Sequence, residues 1–202
     1  MKYLALLPIV LTLQGEPKNI AEYFNACPHK GDFTLKESEK NDVTVDLANA
    51  YIKVINHGTD DYAFDSEIAF VYFLTASKIK IFGISNIERG PNTDHFDCSF
   101  YHYDQGKWID VTRDVLPDLG FEVFAGDKPG VENVGSQFQL EITLPQKGTS
   151  LVVEPHPVGE TDNPFSDTVD GYRNYLQLFS QMPKSEKQLK WNKEKGVFEI
   201  VK

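Results

Sequence analysis

The chain has 202 residues, of which 41% are apolar and 25% charged, with a formal net charge of −10. That length and apolar share can bury a full core without disulfide or metal staples, and the balance is that of an ordinary soluble globular chain. The negative sign speaks against nucleic acid and anionic membrane surfaces as partners, because phosphate recognition needs clustered Lys and Arg.

Lys2 followed by Tyr3 to Leu13, YLALLPIVLTL, reads as the charged start and apolar run of a secretory leader, too short to span a bilayer. Residues 1–15 are therefore expected to be a signal peptide and 16–202 a single β-rich domain, periplasmic or extracellular, with no membrane span in the mature chain. Leu13-Gln14-Gly15 is a poor cleavage site, so a buried N-terminal strand or helix is the alternative. Cys27 and Cys98 are the only cysteines. An even count in an oxidising compartment suits one disulfide, and closing so long a loop would contribute about 4 kcal/mol in the chain-entropy view. The competing reading makes Cys98 a small buried hydrophobe on a strand face.

Asn19 and Glu22 form a capping pair, Ile20, Tyr23, Phe24 and Cys27 share one helical face, and Pro28 blocks continuation. This spacing predicts a short N-terminal helix. Gly31 to Asp46 is polar, with weak alternation at Phe33, Leu35, Val43 and Val45, and reads as a connector holding at most a short strand. Ala50 to Ile55 is a β run, and Ile68 to Leu74, apolar on both faces, predicts a central strand that pairs with Ile79 to Ile84.

The most regular stretch is Phe96 to Thr112, FDCSFYHYDQGKWIDVT, which predicts a hairpin turning at Gln105-Gly106. In that register Tyr103 faces Trp108 and Tyr101 faces Asp110. One face carries Phe96, Cys98, Phe100, Ile109 and Val111; the other carries Ser99, Tyr101, Tyr103, Trp108 and Asp110. Asp114 to Ala125 reads as a helical turn and a linking strand. Phe138 to Leu144 and Leu151 to Val153 alternate around a Pro145 to Gly148 turn, Glu154 to Gly171 is a long acidic, proline-bearing loop, Tyr172 to Met182 has helical spacing, and Leu189 to Ile200 forms a last hairpin. The fold class expected is α+β, β-dominated: an antiparallel meander of about four hairpins with a short N-terminal helix and one C-terminal helix.

No serine-hydrolase elbow, zinc-protease, P-loop, dinucleotide or C-x-x-C motif is present in the sequence. His95, Asp97, His102 and Asp110 cluster around the hairpin, yet alternation splits His102 from the others. Asp97 also lies roughly 14 Å along the strand from the partner of Asp110, beyond the ~5 to 9.5 Å of glycosidase carboxylate pairs. The acidic runs Asp60, Asp61, Asp65 and Glu160, Asp162, Asp167, Asp170 lack the glycine and spacing of a calcium loop and read as solvated loops. Residues 184–202 hold six Lys and three Glu, so the remaining chain carries −13; this suits an edge hairpin whose lysines deter strand pairing, or a docking surface for an acidic partner. Tyr101, Tyr103, Trp108 and Asp110 make the best binding candidate, because aromatic rings bury area at low entropic cost; the alternative is a face covered by a helix or a second sheet. The function expected is an exported non-enzymatic binding or inhibitor-like module for a protein or glycan partner, needing no cofactor or metal. A secreted hydrolase with a loop-assembled site is the alternative.

Overall fold

The computed structural model describes residues 16–58, 65–90, 94–125, 138–159, 169–181 and 186–201. The leader expected at 1–15 lies outside them, as do Asp60, Asp61, Glu160, Asp162 and Asp167 of the acidic runs. Strands β1 (Asn41–Asp46), β2 (Tyr51–Asn56), β3 (Asp65–Leu74), β4 (Lys80–Arg89), β5 (Asp94–Asp104) and β6 (Lys107–Asp110) form one six-stranded antiparallel sheet in chain order. Strands β7 (Phe138–Thr143), β8 (Ser150–Pro157), β9 (Lys187–Asn192) and β10 (Val197–Ile200) form a second sheet, also antiparallel. Helices are few: α1 (Ile20–Ala26), α2 (Thr112–Val115), α3 (Phe121–Ala125) and α4 (Val169–Gln181). Among the described residues no helix is long and apolar enough to cross a membrane.

The β-dominated antiparallel character agrees with the sequence, but the single meander does not. The chain folds back instead of adding strands, because β3 and β4 carry apolar side chains on both faces and each face needs a cover. On one face Tyr51, Val71, Phe73 and Phe100 meet Ile142, Leu144, Leu151, Trp191 and Phe198 of the second sheet, with Tyr175 and Phe179 of α4 completing this core. Gly83 is required there: a Cβ at this position would sit 2.9 Å from the Phe100 ring and 3.2 Å from Leu144. Polar ties fix the second sheet in place. Trp191 Nε1 donates to Leu74 O (2.8 Å), Ser85 Oγ donates to Ile142 O (2.9 Å), and Glu141 accepts from Arg89 of β4 (2.7 Å) beside His156 (3.1 Å).

The opposite face is covered by α1. Asn19 Oδ1 accepts from the Glu22 amide (3.0 Å), which starts the helix with one of its free donors satisfied. Ile20, Tyr23, Phe24 and Cys27 then pack on Ile52, Val54, Ile68, Phe70, Phe82 and Ile84.

These two covers separate the cysteines that the sequence allows to form a disulfide. Cys27 lies in the α1 core, whereas Cys98 points from β5 toward the second sheet, so the six-stranded sheet stands between two thiols that a bridge would need within about 4.5 Å at Cβ. Both cysteines are free, and burial pushes both thiols up from their ordinary range. Alkylation after unfolding without reductant should therefore add two labels per chain, with slow labelling of the folded protein; zero labels until a reductant is added would restore the bridge.

Candidate functional site

The hairpin of β5 and β6 has the register that the alternation implies, with Tyr103 opposite Trp108 and Tyr101 opposite Asp110. Its turn uses positive φ at both Gln105 (48°) and Gly106 (83°), the combination whose twist matches that of antiparallel strands. The three rings are contiguous: Trp108 lies 5.2 Å from Tyr103 and 6.4 Å from Tyr101 between centroids. They are not an open sheet face, however. Tyr23 of α1 comes edge-on to Tyr103 (5.3 Å) and Trp108 (6.5 Å), and Trp108 reaches inward to Phe82 (5.0 Å). Tyr101 is 8% exposed, Tyr103 and Trp108 are half-buried, and Asp110 is exposed.

Two polar groups around this cluster, the Tyr23 hydroxyl and the Asp110 carboxyl, have partners that explain them. The Tyr23 hydroxyl donates to Glu16 (2.8 Å) and accepts from Lys80 (2.8 Å), and burial, then the Glu16 carboxylate, raises its phenol above the ordinary range. Burial likewise raises Tyr101. Asp110 accepts from the Thr112 amide (2.8 Å), which holds its carboxyl below the usual range. That contact ends β6 and turns the chain into α2. One further ring joins the cluster: His29, in the three-residue 3-10 helix Pro28–Lys30 after α1, stacks on Tyr101 at 4.2 Å and 13°. No spacing signal marks it, because its partner is 72 residues away in the chain.

Beyond α1 the same sheet face changes character. A seven-residue helix is about 10 Å long, whereas a ten-residue strand runs about 34 Å, so α1 covers only part of β3 to β5. Past its end a polar shelf encloses about 360 Å³, lined by His29, Phe33, Asn86, Glu88, His95 and Asp97 among others. His95 and Asp97 thus share one site. His102 faces the other side of the sheet, and Asp110 stands four residues along from Asp97's level. Among the described residues no group of His, Cys, Asp and Glu is arranged to hold a metal ion.

On the other face of the same strand end lies a groove of about 980 Å³. Its walls are Phe96 and Cys98 of β5, Leu140 and Phe138 of β7, and Leu116 and Leu119 between α2 and α3, with Asp118, Glu122 and Arg113 at the rim. Phe96 and Asp97 line both cavities. The exposed end of β5 is therefore a partition, with a shelf lined largely by polar and charged residues on one side and on the other a groove of apolar walls under a charged rim.

No protein-family model matches the sequence, and no curated protein does. The solved structure of a domain of an uncharacterized protein from Porphyromonas gingivalis W83 is similar, with a TM-score of 0.51 over 81% of each chain and 9% identity. At that identity the likeness is one of fold.

The packing of the aromatic cluster sets its own test. Trp108→Ala removes a ring that touches Tyr23, Phe82, Tyr101 and Tyr103, and it should lower stability by about 3 kcal/mol in urea melts. A change below about 0.5 kcal/mol would show that the indole is an open surface side chain.

Proposed function

We propose that this chain is an exported, non-enzymatic binding module that contacts a protein partner through the end of the six-stranded sheet where β5 runs past α1 and β6. The carrying observation is the pair of cavities that meet at Phe96 and Asp97. Ligand sites are concave, mainly apolar and furnished with a few convergent polar groups; the groove supplies the apolar wall and the shelf supplies the polar groups. Tyr101 and Asp110 belong to the frame of the site, since His29 stacks on Tyr101 at the shelf's border and Asp110 steers the chain away from β5. Export rests on the leader-like run Tyr3 to Leu13.

The acids of the shelf and the apolar groove together favour a protein carrying both apolar and basic side chains. A sugar would use the amide and carboxylates of the shelf but gain little from the groove. To test the proposal, binders selected from a displayed random-peptide library and from a glycan array are measured against the wild-type protein and Asp97→Lys. Asp97 is exposed and its strand pairing is main-chain, so the variant should melt like wild type. Peptide binders that weaken at least tenfold with Asp97→Lys support the proposal. Glycan binders alone would move the site to sugar recognition, and turnover of a glycan would favour the hydrolase reading.

A further inference from the structure

The end of β5 carries main-chain hydrogen-bonding groups that no other described residue uses. The Phe100 amide donates to Thr112 Oγ1 (2.8 Å) and the Phe100 carbonyl accepts from the Val111 amide (2.9 Å), so the polar main-chain groups of Phe100 point away from β4. In an antiparallel ladder that direction alternates residue by residue. Those of Cys98 and Phe96 must point the same way, and Asp94 confirms the sense, because its carbonyl accepts from the Gln139 side chain (3.1 Å) on that outer side. β6 pairs only with Tyr101 to Asp104 and then leaves as α2. Among the described residues nothing pairs with the outward N–H and C=O groups of Phe96 and Cys98. An unpaired strand edge is a template for another chain, and Lys and Pro on the edge are among the devices that blunt it. Neither residue type occurs between Asp94 and Asp104.

We infer that an extended polypeptide segment of the partner adds to the sheet as a strand beside Phe96–Cys98, with apolar and basic side chains in alternation. This rests on the protein-binding reading above and states how the partner is held. The alternation follows from the pleat. Residues directly opposite one another on paired strands project to the same face. Those of the added strand that lie opposite Phe96 and Cys98 enter the apolar groove with Phe138, Leu140, Leu116 and Leu119. Those at the level of Asp97 enter the shelf, where Glu88 and Asp97, with the Lys53-paired Glu67, outnumber the single Lys30. The groove's rim repeats that sign, with Asp118 and Glu122 against the single Arg113. Main-chain bonds then give affinity and the two cavities give selectivity, the usual division in strand addition.

The probe is a synthetic nine-residue peptide alternating valine with lysine, measured by fluorescence polarisation against the full chain. A block peptide of the same composition controls for charge. A third peptide carries N-methyl groups at the residues whose amides would face β5. The alternating peptide should bind at least tenfold more tightly than both, and Asp97→Lys should weaken it at least tenfold while leaving the melting temperature unchanged. Equal binding by the N-methylated peptide would overturn strand addition while leaving a side-chain-only protein site standing. No binding of the alternating peptide at millimolar concentration, while library-selected peptides bind, would also overturn it. If no peptide of any kind binds, the protein-binding reading falls with it.

Discussion

The fold rests on a sheet that is apolar on both faces. Ile68, Phe70, Phe82 and Ile84 look one way and Val71, Phe73, Ile81 and Phe100 look the other, and none of them is more than slightly exposed. Each such side chain contributes roughly 1.5–3 kcal/mol on burial, so neither face can be left to water. The second sheet and α1 are the two answers. Both come from the same chain, one from each end of it, and this explains why the last four strands build a separate layer instead of prolonging the first.

The covers are unequal in length to what they cover, and the consequence is chemical. Where α1 ends, the side chains on its face change from Phe82 and Ile84 to Asn86 and Glu88 on β4, and from Tyr101 to Asp97 and His95 on β5. The polarity of the strands therefore follows the reach of the helix. On the other face β7 crosses toward the rim of β5 with Leu140 and Phe138, and the chain after β6 turns over the same core through Val115. Between them they leave a groove. β5, the longest strand among the described residues, runs past α1 and past its neighbour β6, while Gln139 of β7 reaches Asp94 at its far end, and the candidate site is the stretch left between them.

How much of this was legible depends on the range of the interactions. The β5–β6 pairing could be read to the residue, because a glycine turn and a period-two pattern fix register locally. Ile68 to Leu74 announced a strand buried on both sides for the same local reason. The identity of the covers could not be read. Tyr101, Tyr103 and Trp108 look like a binding surface in one dimension, and only the approach of Tyr23, some 80 residues earlier, makes them largely a core. The bridge between Cys27 and Cys98 failed on the same ground, since counting cysteines says nothing of which side of a sheet each occupies. The stacked His29 and the groove walls at Leu116 and Leu140 carry no sequence signal, because they become neighbours only when two layers meet.

The account turns on whether the outer edge of β5 is open between Asp94 and Phe100. Residue-resolved amide hydrogen exchange on the free protein reads this directly. Asp97 and Ser99 direct their amides to β4 and should be strongly protected, while Phe96 and Cys98 should exchange at least a hundredfold faster. Uniform protection across all four amides would mean that the edge is already paired, and the site described here would not exist.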